Sequence, residues 1–316
     1  MRVLLTGGGG FVASYFVRAL RAMAPCEILA TGRQSEDIAD VGRLIALDIT
    51  DSSGVNDTIA AFRPDVIVHL AGISDLAAAE ANPVMAWAIN VEGTLNFARA
   101  ALEHVPRSAF LFAGSCQVYG ASAGTGDLLT EDHLLAPISE YGATKAAADL
   151  ALGALAARGL RTIRFRPFNH IGTGQSDAFA IPSFAAQIAR IERKLQPPVI
   201  KVGNLEAERD FLDVRDVAAA YARAAIRAET IAPGSIFNLA SGHPIRMRKI
   251  LDTLIDLSDV DISVEVDQTR WRPNELPLLV GNADKARAML DWHPTCRIED
   301  TLRAVLDDQR KRVGQA

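Results

Sequence analysis

The chain has 316 residues, 49% of them hydrophobic, which is ample for two modest domains or one large one and too much for a disordered or fibrous protein. Lys plus Arg number 33 against 38 Asp plus Glu, a net charge of −5 with no basic run to track a phosphate backbone, so no nucleic acid partner is expected and any phosphate recognition must be local. No apolar run approaches the ~20 residues of a membrane span, the opening run is too short and wrongly flanked for a signal peptide, and Cys26, Cys116 and Cys296 stand apart without a Cys-x-x-Cys or histidine cluster. A cytoplasmic protein with neither disulfide framework nor metal site is expected.

Residues 2–5 read as a strand, 6–10 as a glycine loop and 11–23 as a helix with apolar residues at helical spacing. The spacing Gly7-x-x-Gly10-x-x-Ala13 lets a backbone turn tightly and approach a pyrophosphate, whose charge then lies on the helix N-terminus. A glycine cluster alone is weak evidence; at the head of an alternating α/β chain it predicts dinucleotide binding. The second strand, 27–31, ends in Gly32-Arg33 rather than in the acid that accepts hydrogen bonds from an adenosine 2′-hydroxyl. An arginine there suits a 2′-phosphate and favours NADP, with NAD as the other possibility. The alternative is a solvated Arg33 with Glu36 or Asp37 reaching back. A third strand, 43–47, is followed by Asp48-Ile49, an expected adenine contact. Residues 65–70 are almost wholly apolar, as a strand buried on both faces requires, and lead from Leu70 into Ala71-Gly72, where small residues let a cofactor pass close to the backbone. Asn90, in a helix read over 83–102, is placed to tie strands together through its amide beside the cofactor.

An apolar strand from residue 110 ends at Ser115, on the face where open α/β sheets bind ligands. A loop, 121–139, leads to an alanine-rich helix, 141–158, which opens with Tyr141 and Lys145. Four apart, they project from one helix face. A free tyrosine has a pKa of about 10, and a cation within roughly 4–6 Å favours the phenolate by about 1–3 units, which yields a phenol able to give or take a proton near neutrality. Alone the pair is more often an ordinary surface pair; Ser115 is what favours the catalytic reading. Cys116 has no histidine near it in sequence to act as a base and is not read as a nucleophile.

A sixth strand spans 161–166, after which residues 167–172 leave the sheet and the composition changes. The expected organisation is α/β: a Rossmann-type doubly wound parallel sheet formed by 1–166 plus 213–242, and a smaller, mostly C-terminal substrate-binding domain formed by 167–212 plus 243–316. Such weaving places a shared cleft at the carboxyl ends of the strands.

Taken together, Thr6-Gly-x-x-Gly10-Phe11-x-Ala13 with Ser115, Tyr141 and Lys145 resembles the extended short-chain dehydrogenase/reductases that act on nucleotide sugars, over essentially the whole chain. Three later segments, 168–176, 200–216 and 270–275, look like the GDP-mannose 4,6-dehydratase and GDP-4-keto-6-deoxy-mannose reductase branch. The resemblance implies that Ser115 hydrogen-bonds the sugar carbonyl, that Tyr141 protonates the oxygen, and that Lys145 holds the nicotinamide ribose while lowering the tyrosine pKa. It adds Val12 and Phe168 to the cofactor site and Gln117 and Lys201 to the sugar-nucleotide site. It implies that Arg209 and Arg272 meet the diphosphate, Glu275 the GDP ribose and Asn169 the sugar-phosphate. Guanidinium forks match phosphate oxygens and a carboxylate matches paired hydroxyls; otherwise Arg209, Arg270 and Arg272 are surface ion-pair partners.

The branch contains two activities. A 4,6-dehydratase needs a carboxylate base for the carbon 5 proton, and in the resembling dehydratases a glutamate stands two residues after the serine or threonine at the strand end. Here Gln117 stands there, and its amide accepts no proton at neutral pH. This favours reduction of the 4-keto group of a GDP-6-deoxyhexose, giving GDP-rhamnose. The alternatives are the dehydratase, with Glu131 or Asp132 as its base, a nucleotide-sugar 4-epimerase, and a non-catalytic nucleotide sensor, which has no reason to keep Ser115, Tyr141 and Lys145 together. Small apolar residues on the helices 83–102 and 141–158, through which related enzymes pair, imply a homodimer.

Overall fold

The computed structural model describes residues 1–271 and 276–315. Apolar runs bounded by glycine, proline and acidic residues form strands β1 (Arg2–Thr6), β2 (Glu27–Gly32), β3 (Asp37–Ile38), β4 (Gly42–Ala46), β5 (Val66–His69), β6 (Ala109–Ala113) and β7 (Arg161–Pro167). After them come β8 (Asn169–Ile171), β9 (Val199–Val202), β10 (Glu208–Asp213), β11 (Ser235–Leu239), β12 (Pro244–Arg246), β13 (Ser263–Val266) and β14 (Leu278–Leu279). Eight of these form one sheet in the order β11-β7-β6-β5-β1-β2-β4-β3. Its pairs are parallel apart from the antiparallel β3–β4 edge.

A parallel sheet requires cover on both faces because its crossover helices lie there. Val3, Leu5, Val66 and Val68 pack with the helices Ala13–Met23 and Val214–Ile226 on one face. Leu4, Ile67, Phe110 and Phe112, one residue out of phase, pack on the other with Ser52–Phe62, Thr94–His104 and Glu140–Ala157. A separate core gathers helices Ala180–Glu192, Met247–Ile255 and Ile298–Gln315 around β9 and β10. There β10 carries β8, β12 and β14 as neighbours, and β9 pairs with β13.

Several elements differ from the sequence reading. The first helix begins at Ala13 rather than at residue 11, because Phe11 and Val12 complete the glycine turn. Residues 83–104 are helical, but the run is interrupted by a wide π-type turn, Ala88–Gly93, which carries Asn90 inward until it is 0% exposed. The two-residue edge strand β3 lies in a stretch where the sequence reading placed no strand, and Asn169–Ile171 pairs with β10 where the sequence suggested only a departure from the sheet.

Candidate active site

At the carboxyl end of β1 the chain turns through Gly7, in the left-handed region at φ +70, where a Cβ would lie 2.8 Å from the Ala71 nitrogen. The turn is closed by the Gly10 N–H donating to the Gly7 carbonyl at 2.9 Å and anchored by the Gly8 N–H donating to the Thr31 carbonyl at 2.9 Å. Phe11 and Val12 then stand at the helix N-terminus, where main-chain N–H groups lack intrahelical partners. A turn that tolerates no Cβ at Gly7 and presents N–H groups outward fits the pyrophosphate of a dinucleotide. Leu70, Ala71 and Gly72 adjoin it: the Ala71 N–H donates to Thr6 Oγ1 at 3.2 Å, and a Cβ on Gly72 would lie 3.3 Å from Lys145 Nζ.

Arg33 is exposed and has no ion-pair partner among the described residues. Glu36 reaches the turn, its Oε1 3.3 Å from where a Gly9 Cβ would stand, so both alternatives weighed for this corner are physically present. One oxygen of Asp48 accepts from the Thr50 N–H and hydroxyl at 2.9 and 2.8 Å, which holds its carboxyl below the usual range. Ile49 packs against Gly93.

Two sequence-predicted cofactor contacts turn inward. Phe168 is 1% exposed, stacked near Tyr119 and filling the space that Gly281 leaves, so its ring serves the core. Asn90 accepts from the Ile73 N–H at 2.8 Å and donates to the Ile73 carbonyl and Thr144 Oγ1 at 3.1 and 3.0 Å. Its amide clamps the loop after β5 to the Tyr141 helix.

Ser115 stands two residues beyond β6, its Oγ accepting from the Gln117 N–H at 3.2 Å as the chain enters a short 3₁₀ turn. Ser139 caps the helix that carries Tyr141 and Lys145 by accepting from the Gly142 N–H at 3.1 Å. Burial pushes the Tyr141 phenol up to about 12, opposed by a hydrogen bond with Ser115. Burial likewise draws Lys145 down to about 8. Its ammonium donates to the Ala113 carbonyl at 2.9 Å and lies over the Phe112 ring, 5.1 Å from its centroid. The expectation that Lys145 lowers the Tyr141 pKa is therefore corrected: desolvation dominates, and the phenol rises.

Cys116 is buried and its thiol is pushed up to about 12, chiefly by desolvation, which keeps it protonated and unreactive. Arg209 and Asp210 both act on that thiol, which places their charges beside the Ser115 turn. Asn169 donates to the Asp210 carbonyl at 3.3 Å, while Lys201 is exposed on β9 with both its main-chain groups held by the Gln187 amide. Arg270 pairs with Asp267 at 3.6 Å, the surface ion pair weighed above. Arg272 and Glu275 lie outside the described residues.

Three features were missed in the sequence. Asp210 is 0% exposed and accepts from the Ser241 N–H and hydroxyl, the Gly242 N–H and the Gly281 N–H at 2.8, 2.6, 2.9 and 3.2 Å, drawing three segments together beside Arg209. Asp149 lies between Arg164 and Arg166 at 2.8 and 2.9 Å. His69 sits in a buried chain of hydroxyls. A histidine in a wholly apolar strand, and an aspartate four residues past Lys145 in an alanine-rich helix, are the signals that could have found two of them.

The sheet and its glycine turn define a Rossmann-type, dinucleotide-binding α/β protein. Residues 3–240 match the model of the NAD dependent epimerase/dehydratase family, and the chain belongs to that family. It is 32% identical over 316 residues, 99% of each chain, to GDP-6-deoxy-D-mannose reductase of Pseudomonas aeruginosa. It is 25% identical to GDP-6-deoxy-D-talose 4-dehydrogenase of Aggregatibacter actinomycetemcomitans, covering 98% of this chain and 97% of that one. The structure of RMD from Pseudomonas aeruginosa complexed with NADPH superposes with a TM-score of 0.85 at 30% identity, covering 98% and 99% of the two chains.

The lowered Lys145 pKa has a consequence for stability. The unfolded chain holds this proton up to about 10.4 and the folded chain only to about 8, so the lysine's burden on the fold is fully present below pH 8 and is relieved as pH rises toward 10. Lys145→Met should flatten the rise in unfolding free energy between pH 7.5 and 9.5 by on the order of 2 kcal/mol, measured by urea unfolding at those two pH values. An unchanged slope would mean that the ammonium is not desolvated.

Proposed function

We propose that the protein uses NADPH to reduce the 4-keto group of GDP-4-keto-6-deoxy-D-mannose, giving a GDP-6-deoxyhexose, GDP-D-rhamnose. The observation that carries this reading is the identity and setting of the side chains around Ser115. Gln117 occupies the place from which a dehydratase carboxylate would act, and the Glu131 carboxylate accepts from the Asn238 N–H at 2.7 Å while its carbonyl accepts from Arg166 at 2.9 Å. These bonds tie Glu131 to β11 and β7, while the other fallback base, Asp132, is exposed. The similarity to two enzymes named for GDP-6-deoxyhexose chemistry supports the same substrate class.

In this reading Ser115 donates a hydrogen bond to the sugar carbonyl and Tyr141 protonates the oxygen as it gains charge. A phenol held at about 12 is fully protonated at neutral pH, which suits the reductive direction, where a proton must be given. When bound, the nicotinamide supplies the hydride. Gly7, Gly10, Phe11 and Val12 would hold its pyrophosphate, Lys145 its ribose, Asp48 and Ile49 the adenine, and Arg33 the 2′-phosphate that distinguishes NADPH. Arg209, with Arg272, would receive the GDP diphosphate, Asn169 and Lys201 the sugar-phosphate side, and Glu275 the ribose. The sheet built on residues 1–166 plus 213–242 would then carry the cofactor, with 167–212 plus 243–316 closing over the sugar nucleotide.

Mixed with NADPH and the keto sugar, the purified protein should consume nicotinamide absorbance, and with GDP-mannose alone it should form no 4-keto-6-deoxy product. Dehydration of GDP-mannose by the unaltered protein would overturn the assignment. Tyr141→Phe should keep the fold and lose about two to four orders of magnitude in turnover, the usual contribution of a positioned acid. Arg33→Ala should weaken NADPH by about 1.5–3 kcal/mol and leave NADH nearly unchanged in equilibrium titrations; equal loss for both would make Arg33 structural.

The helix Glu140–Ala157 leaves Leu150 62% exposed among small residues, and the helix Pro83–Trp87 leaves Val84 82% exposed. Both fit a homodimer paired through these helices. A monomer mass by light scattering at micromolar concentration would refute it.

A further inference from the structure

A line of hydrogen bonds crosses the protein beneath the cleft, and its direction can be read. The Thr94 hydroxyl donates to the Asn90 carbonyl at 2.7 Å, so at its 3.1 Å contact with His69 Nε2 it must accept. His69 Nε2 therefore carries the proton. On the other side, Thr6 Oγ1 accepts from the Ala71 N–H at 3.2 Å and lies 3.0 Å from His69 Nδ1, to which it donates. Each hydroxyl in the line gives one bond and takes one. The imidazole is 1% exposed among Phe97, Phe110 and Phe112, and the ionisable group acting on it is Lys145. Desolvation, with that ammonium, holds it down at about 3, so it stays neutral and does not compete for the lysine's proton.

The two ends of the line are the parts of the site that must keep their spacing. Thr6 directly precedes Gly7, and the Ala71 nitrogen lies 2.8 Å from where a Gly7 Cβ would stand. Asn90 continues the connection through its amide to Thr144 Oγ1, which donates to the Tyr141 carbonyl at 2.8 Å. We infer that His69 is a positioning residue: a neutral, Nε2-protonated spacer that sets the distance between the glycine turn and the helices carrying Asn90, Tyr141 and Lys145. The inference rests on the glycine turn as the cofactor site, and its test is read without any sugar, so it can fail or succeed apart from the proposed reaction.

Two variants divide the bond pair. His69→Asn keeps an acceptor near the Nδ1 position for Thr6 and loses the donor to Thr94; His69→Gln keeps a donor near Nε2 and loses the acceptor; His69→Leu loses both. In NADPH titrations the Asn variant should stay within about threefold of the parent, and the Gln variant should weaken about tenfold, the value of one net hydrogen bond at the turn. The Leu variant should lose at least as much as Gln, and if it does not fold the other two decide. Ring ¹⁵N spectra of histidine-labelled protein, with the His69 signals assigned by their loss in the Asn variant, should show an Nε2–H tautomer that does not titrate between pH 5 and 8. An Nδ1–H tautomer, a titration in that range, or equal loss of melting temperature in all foldable variants with NADPH affinity unchanged would overturn the inference.

Discussion

One buried carboxylate holds the Tyr141 helix to the sheet. Asp149 is 0% exposed, and its two oxygens are taken by Arg164 from one side and by the Arg166 fork from the other. Removing one member of a buried pair of this kind costs about 3–5 kcal/mol, because the charge left behind has neither water nor partner. The arrangement is therefore all or nothing, and it dictates the register of the helix Glu140–Ala157 on β7. Arg166 extends the constraint outward, donating to the Tyr119 hydroxyl at 3.1 Å and to the Glu131 carbonyl at 2.9 Å. The turn that begins at Ser115 and the loop that precedes Tyr141 are thus referred to the same point.

The formal charges in this cluster balance, with Asp149 and Glu131 set against Arg164 and Arg166, and none of the four acts on the Tyr141 phenol or the Lys145 ammonium. What governs those groups is desolvation. It acts in opposite senses on an acid and a base, raising Tyr141 and depressing Lys145, and so moves both toward their uncharged forms. A pair that the sequence suggests as phenolate beside ammonium is a protonated phenol beside a lysine whose proton is loosely held. The Ala113 carbonyl and the Phe112 ring keep the ammonium in place, one through a hydrogen bond and the other through its π face.

Much of this was legible because period and punctuation are local properties. The strand at β5 announces its double burial by an unbroken apolar run, and the glycine turn announces itself by residues that leave no room for a Cβ. The convergence of Ser115 with the Tyr141 helix was legible because Ser115 stood at a strand end and Tyr141 at a helix start. The signals that failed are those set by tertiary contact. Nothing in the spacing of Phe168 tells that its ring fills the gap left by Gly281, more than a hundred residues away in sequence. Nothing around Tyr141 tells that burial raises its phenol. The partners of His69 come from β1 and from the helix that begins at Thr94, and only the fold brings them together.

Asn238 lies near the end of β11, a strand added to the edge of the sheet after a long excursion through the second core. From there it accepts from the Tyr119 hydroxyl at 2.6 Å, gives its amide to the Leu129 carbonyl at 2.8 Å and directs its main-chain N–H to Glu131 at 2.7 Å. During synthesis the first seven strands, Ser115 and the Tyr141 helix all leave the ribosome well before this residue does. Until it arrives, β7 is an open edge and the loop before Tyr141 lacks the three bonds that Asn238 makes with Tyr119, Leu129 and Glu131. A nascent chain therefore carries Ser115, Tyr141 and Lys145 long before the edge strand that fixes their surroundings has been made.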